Sequence, residues 1–427
     1  MQYTLLTIII AIKMFVFARV SLRGSSYIFT LFETYMTIGT PSYTTTQMWV
    51  LKYGLYLLNK KKEKRDDWIL VLDHTIEFGK KKCLVIIGIP RELLLEKNIK
   101  VQHKDFTLLD ISITENADGN SVNKRIIEIE KEIGTPIQFV CDGGGNLQKG
   151  IDEFIKDSKN ENIHKTYDVT HKASLILKHL LEKDERWLEF TTNITSTKRS
   201  ILHTALAFMS PPKPKEKSRW LNIEPFVKWA ENALLQAEEE MNKETKDKYK
   251  LKIKWVNDFQ EDIKIWRVMI DMLKVMMCEI KKNGLSKKVA KTIIDKIESI
   301  NFEHQNPKKM SAEITKYLNE ETKNLNGTYL GCSDIIESIF GRYKNFSAKT
   351  PMKEVGKALL VIPIFTSDMA TNDIKLAMET ITEKQVKIWF KKNIGESLVS
   401  KRKIFCNLIK TKKKYGGKYY DNLDECA

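Results

Sequence analysis

The spacing of apolar residues changes along the chain, and each change predicts a different kind of segment. Up to residue 58 the spacing is helical. An apolar run over residues 5–18, broken by Lys13, precedes a second helical segment over 22–36 and a turn at Gly39-Thr40-Pro41. In the third segment Val50, Leu51, Tyr53, Leu55 and Leu58 keep a mostly helical period, behind Ser42-Tyr43-Thr44-Thr45-Thr46-Gln47. Hydroxyl residues of this kind cap helix N-termini. The pair of segments reads either as a helix-turn-helix, presenting Thr44, Thr45 and Gln47 to DNA, or as an ordinary capped helical hairpin. The charge run over residues 60–67 reads as a solvated linker.

Beyond the linker the pattern becomes extended. Trp68-Ile69-Leu70-Val71-Leu72, ending at Asp73, and the stretch from Lys82 to Ile89 are short continuous apolar runs of the kind buried strands show, with Gly79 and lysines between them for a hairpin. A third strand is predicted over 106–113, an amphipathic helix over 121–133, and a fourth strand over 137–141 that stops at Asp142. Gly143-Gly144-Gly145-Asn146 then leads into a helix through Leu147, Ile151 and Phe154, followed by a strand over 164–169 and a helix over 170–181. The order β-β-β-α-β-α-β belongs to an α/β fold, a mixed sheet flanked by helices.

From 183 to 326 no strand pattern occurs. Charged segments keep Trp229, Leu234, Trp255, Phe259, Ile263, Trp266, Met269, Ile270 and Leu273 near three-to-four spacing, the mark of long amphipathic helices. The expected division is an N-terminal helical domain (1–62), the first part of the α/β core (63–182), an all-α insertion (183–326), the C-terminal helices of the core (327–400) and a basic tail (401–427).

Composition narrows the partners. With 71 Lys+Arg against 55 Asp+Glu in 427 residues, the net charge of +16 favours an anionic partner, nucleic acid or an anionic membrane face. A hydrophobic fraction of 42% excludes a disordered chain. The run over 5–18 is too short to span a bilayer and lacks the flanks of a signal peptide. The six cysteines are scattered without a CxxC pair, as expected in a reducing interior, so a cytoplasmic location is predicted. Gly143-Gly144-Gly145 lacks the Gly-Lys-Ser/Thr of a phosphate-cradling P-loop.

The candidate chemistry lies in isolated acids. Asp73 and Asp142 each close an apolar run, and an ionised carboxylate at the end of a buried strand is costly unless it is bonded, paired or bound to a cation. Two such ends on neighbouring strands suit Mg²⁺, which takes hard oxygen ligands. A third acid is offered by Gly331-Cys332-Ser333-Asp334-Ile335-Ile336-Glu337, which opens a helix behind a capping-type serine and places Asp334 and Glu337 on one face.

With these residues in place the chain resembles the RNase H-like DDE transposases. The blocks Asp73-His74-Thr75-Ile76-Glu77-Phe78-Gly79, Tyr167-Asp168-Val169-Thr170-His171-Lys172 and Ile336-Glu337-Ser338-Ile339-Phe340-Gly341-Arg342-Tyr343-Lys344 look like those of bacterial insertion-sequence transposases. The long helical gap is similar to insertions in the hAT and Mutator groups. The resemblance implies that Asp73, Asp142 and Glu337 are the catalytic, metal-binding triad, holding two Mg²⁺ or Mn²⁺ ions. Implied with it are cleavage and joining of double-stranded DNA at transposon ends and in a target, a nucleoid-associated protein, and a homodimer or higher assembly on DNA. Where Mutator-like enzymes carry Cys-x-x-His, this chain has Asp168-Val169-Thr170-His171. Asp168 is therefore either an accessory acid or a helix cap, and His171 a candidate phosphate contact, with His74 a further neighbour. Asp334 competes with Glu337 for the third position. Arg342 and Lys344, with Lys80, Lys81 and Lys82, are candidate DNA contacts, and the tail bearing Lys410, Lys412, Lys413 and Lys414 reads as a flexible basic arm. Two other readings stand beside this one: an inactive transposase-derived DNA-binding protein, and another RNase H-like nuclease.

Overall fold

The computed structural model describes residues 3–35, 38–78, 81–114, 118–158, 162–214, 219–235, 243–347, 356–395 and 398–415. Its centre is a five-stranded sheet in the order β3-β2-β1-β4-β5. Strands β1 (Trp68–Phe78), β2 (Lys81–Pro90) and β3 (Thr107–Thr114) form an antiparallel meander. Strands β4 (Gln138–Cys141) and β5 (His164–Tyr167) continue the sheet parallel to β1. This is the mixed α/β sheet expected, with RNase H-like strand order.

Both faces of the sheet are covered, which is why its strands read as unbroken apolar runs. Side chains alternate across β1. Trp68, Leu70 and Leu72 pack with Val122, Ile126 and Ile129 of α5 (Gly119–Ile133) and with Leu147, Ile151 and Phe154 of α6 (Gly145–Ser158). Ile69 and Val71 face the other way, into a core shared with the N-terminal and C-terminal helices. A short α4 (Arg91–Glu96) follows β2.

Helices α1 (Leu5–Val16), α2 (Leu22–Glu33) and α3 (Tyr43–Asn59) open the chain, each capped by a hydroxyl: Thr4, Ser21 and Ser42. They contribute Ile8, Ile12, Phe29, Trp49 and Tyr53 to the same core as the sheet. Gly54 of α3 lies so near the chain at Leu360 that a Cβ on it would stand 1.7 Å from the Leu360 carbonyl oxygen.

Between β5 and the C-terminal part, α7 (Val169–Leu181), α8 (Glu185–Ile201), α9 (Glu224–Leu234), α10 (Lys243–Lys252), α11 (Gln260–Asn283), α12 (Lys287–Glu298) and α13 (Gln305–Thr322) follow one another. Their own core gathers Trp187, Phe190, Phe259 and Trp266. Among the described residues this region holds no strand; Leu285 and Tyr329 make an isolated bridge. The chain then returns through α14 (Asp334–Ser347), α15 (Ile362–Phe365), α16 (Thr371–Thr380), α17 (Glu383–Asn393) and α18 (Leu398–Tyr415). No helix among the described residues is long and apolar enough to cross a membrane.

Three local expectations are corrected or refined. β1 does not stop at Asp73 but runs on to Phe78, because β2 supplies a paired edge along its whole length. The charge run 60–67 is exposed at Lys60, Lys61, Glu63, Lys64 and Asp66, as expected, but it is also pinned at three of its cations. Lys60 pairs with Asp373 at 2.8 Å, Lys62 donates to the Leu57 and Leu58 carbonyls at the end of α3, and Arg65 bonds Glu63, Asp67 and Glu92. The mixed signs of the run, together with open carbonyls at a helix end, give Lys60, Lys62 and Arg65 their partners. The tail is helical through Tyr415; residues 416–427 lie outside the described residues.

Candidate active site

Strand register brings the first two acids together. Leu72 of β1 lies opposite Cys141 of β4 in the parallel pair. The next residue on each strand is an aspartate, Asp73 and Asp142, at the point where β4 ends. Asp142 turns the chain: its Oδ1 accepts the Gly144 N–H at 2.9 Å, and its carbonyl accepts from Gln148 Nε2 at 2.8 Å. Asp73 Oδ1 accepts the His74 N–H at 2.6 Å. Burial, and then the charge of Asp142, push the Asp73 carboxyl up to about 7, with Glu337 adding to the rise and His171 opposing it.

Glu337 arrives by a chain of buried hydrogen bonds. Gln138 on β4 is fully buried; its Nε2 donates to Leu330 O at 2.7 Å and to Thr166 Oγ1 at 2.8 Å, while its Oε1 accepts the Leu330 N–H at 3.1 Å. The returning chain is thus read like a further strand. One residue later, Gly331 O accepts the Val169 N–H. Asp168 then ties two helix starts. Its Oδ1 accepts the His171 N–H at 2.7 Å and stands 3.0 Å from His171 Nδ1, and its Oδ2 accepts the Ser333 N–H at 2.5 Å and the Ser333 hydroxyl at 3.0 Å. Ser333 O in turn accepts the N–H groups of Ile336 and Glu337, forming the first turn of α14.

Asp168 is therefore the cap of α7 and the tether of α14, with its oxygens already occupied. Burial acts to raise its pKa, but the bonds from His171 and Ser333 hold it below the usual carboxylate range. Ser333 stands directly before α14, as expected, and its hydroxyl donates to Asp168. The hydrogen bond to Asp168 raises His171 to about 9, against burial and with help from Glu337 and Asp142. His171 Nδ1 lies 3.6 Å from Glu337 Oε1. An imidazolium thus faces the carboxylate cluster at neutral pH.

Asp334 and Glu337 part company. Asp334 pairs with Lys281 of α11 at 2.7 Å and accepts from Thr170 Oγ1 at 3.1 Å, so it ties α14 to the helical insertion and to α7. Burial raises the Glu337 pKa, His171 opposes, and the charges of Asp168 and Asp334 add to the rise. Asp73, Asp142, Glu337 and His171 form one electrostatic group.

The candidate DNA contacts are distributed differently. Arg342 lies on α14 beyond Glu337, beside His103, whose pKa is lowered by burial and by this arginine; Lys344 is exposed on the same helix. Thr44 is exposed and Thr45 and Gln47 half-buried at the start of α3, with both threonine hydroxyls bonded to Ser42 Oγ. Lys80, like the side chains of Lys81, Lys410, Lys412, Lys413 and Lys414, lies outside what is described. Sequence reasoning missed Gln138, Ser333 as a tether, and Lys281. Gln138 carried a signal, since an amide inside an apolar strand is costly unless its groups are bonded.

Among the described residues no three His, Cys, Asp or Glu side chains form a group ready to hold a metal ion. The donor chemistry of Asp73, Asp142 and Glu337 nonetheless fits a hard divalent cation: carboxylate oxygens whose crowding a cation relieves.

No family model matches the chain, and no curated protein matches it. Among solved structures it is similar to the Drosophila P element transposase strand transfer complex, at 11% identity and a TM-score of 0.42, over 88% of this chain and 92% of that chain.

Proposed function

We propose that the protein is a DDE-type DNA transposase, a metal-dependent polynucleotidyl transferase that cleaves and joins strands at the ends of a mobile element. The observation that supports this best is the convergence of Asp73 and Asp142, neighbours across two parallel strands, with Glu337, delivered from α14 after the helical insertion. Asp73, Asp142 and Glu337 would hold two Mg²⁺ or Mn²⁺ ions, which would supply Lewis-acid chemistry at a phosphodiester. His171, kept protonated by Asp168, offsets negative charge where the phosphate enters. Arg342 and Lys344 follow Glu337 on the same helix and hold the DNA backbone, as the charge of +16 favours. Thr44, Thr45 and Gln47 are proposed as DNA contacts from the start of α3. The finer placement, as the transposase of a bacterial insertion sequence working as a dimer on double-stranded DNA in the nucleoid, rests on the sequence blocks alone.

The test is strand cleavage and joining on DNA carrying the element's own ends, with Mg²⁺ or Mn²⁺. Asp73→Ala, Asp142→Ala and Glu337→Ala are each expected to abolish product. Undiminished activity in all three variants would refute the assignment.

A further inference from the structure

β5 is the edge strand of the sheet, and an edge strand leaves every second N–H and C=O without a strand partner. His164 and Asp168 donate their N–H groups inward, to the Ile137 and Cys141 carbonyls of the β4 side. Tyr167 is out of phase with them and points its backbone groups outward. Both are taken by side chains of one insertion helix: Glu321 Oε2 accepts the Tyr167 N–H at 3.2 Å, and the buried Tyr317 hydroxyl donates to Tyr167 O at 2.8 Å. These two residues of α13 stand one helical turn apart and imitate the missing strand. The Lys172 ammonium lies 5.7 Å from the centre of the Tyr317 ring, so α7 contacts the same clamp.

Tyr167 sits between two site elements. The next residue is Asp168, the tether of Glu337 and His171. The Tyr167 ring hydroxyl occupies the space beside Gly143, where a Cβ would come within 2.1 Å of it, immediately after Asp142. A shift of Tyr167 therefore moves the Asp142 turn and the Asp168 tether together.

On the transposase reading, on which this rests, we infer that Glu321 and Tyr317 are positioning residues through which the helical insertion sets the geometry of the carboxylate site. Burial pushes the Glu321 carboxyl up to about 7, while the Tyr167 N–H opposes the rise. The clamp needs an acceptor at this position rather than a full charge, and glutamine supplies one.

The experiment compares full-length wild type, Glu321→Ala, Glu321→Gln and Tyr317→Phe. Amide hydrogen exchange over residues 164–171 is followed in metal-free protein, with thermal midpoints alongside, and kcat and KM are measured for joining of end DNA with Mn²⁺. Glu321→Ala and Tyr317→Phe are expected to speed exchange at Tyr167 and Asp168 and to lower kcat about 10-fold or more, as small misplacements of reacting groups do, with KM within about two-fold. Glu321→Gln is expected to restore both readouts to within about three-fold of wild type. Unchanged exchange or unchanged kcat in Glu321→Ala overturns the inference, as does Glu321→Gln behaving like Ala, or a rate loss that matches the unfolded fraction. An active wild type with an equally active Ala variant defeats this inference alone. A wild type without metal-dependent strand cleavage defeats the transposase reading and this inference with it.

Discussion

Asp168 and Ser333 stand 165 residues apart in the chain and are joined by two hydrogen bonds to one carboxylate oxygen. The whole helical insertion lies between them. That pair converts a long detour into a fixed return, because Ser333 begins the turn that carries Glu337.

Removing the carboxylate leaves the buried Ser333 N–H and the part-buried His171 N–H unpaired. Asp168→Ala is expected to lose about 2–4 kcal/mol in urea unfolding, given roughly 1–3 kcal/mol for each buried donor left bare. A loss below about 0.5 kcal/mol would show that the tether contributes nothing to the fold.

The same substitution should return His171 toward its ordinary pKa of 6.5, since the Asp168 bond is the main cause of its rise to about 9. Titration of the imidazole by NMR in metal-free protein checks this. The linkage has a definite sign. Because the folded value exceeds the unfolded one, the stabilising contribution of His171 is complete below about pH 6.5 and declines as pH rises through 9. Urea midpoints at pH 6 and pH 9.5 should separate in wild type by more than in His171→Gln.

Glu337 and Asp334 should be distinguishable in one assay. Glu337→Gln is expected to abolish strand cleavage with a wild-type circular dichroism melt. Asp334→Asn loses its ion pair with Lys281 and should keep activity within about 10-fold, the loss being one of positioning. The opposite ranking would exchange their roles.

Gln138→Leu keeps most of the volume but strands the Leu330 N–H and C=O groups inside the protein. A destabilisation of about 2–4 kcal/mol is expected from urea unfolding, larger than that of a typical point substitution. Retained stability would mean that the returning chain finds other partners.

Gly54→Ala places a methyl group 1.7 Å from the Leu360 carbonyl oxygen, against backbone rather than a movable side chain. About 2 kcal/mol or more should be lost, as in overpacked cores. A thermal midpoint equal to wild type would show that α3 can slide away from the C-terminal helices.

Much of the sheet could be read from the chain because its strands are buried on both faces and carry uninterrupted apolar runs. Asp142 was legible as a strand end for the same reason: a charge after Phe139-Val140-Cys141 has to leave the core. Asp73 was placed too near a strand end, since nothing local to it shows that β2 extends the pairing to Phe78. The pinning of the linker was not legible, because Asp373, the partner of Lys60, comes from a distant part of the chain.

The sequence by itself determined the order of strands and helices, the all-α character of the insertion and the acids that stop or follow apolar runs, because burial imposes periods of two and of three to four on nearby residues. Only the tertiary structure decided that Asp168 is a tether, that Asp334 answers to Lys281, and that Glu337 faces His171. Those roles depend on hydrogen bonds and charges between residues distant in the chain, which local periodicity does not encode.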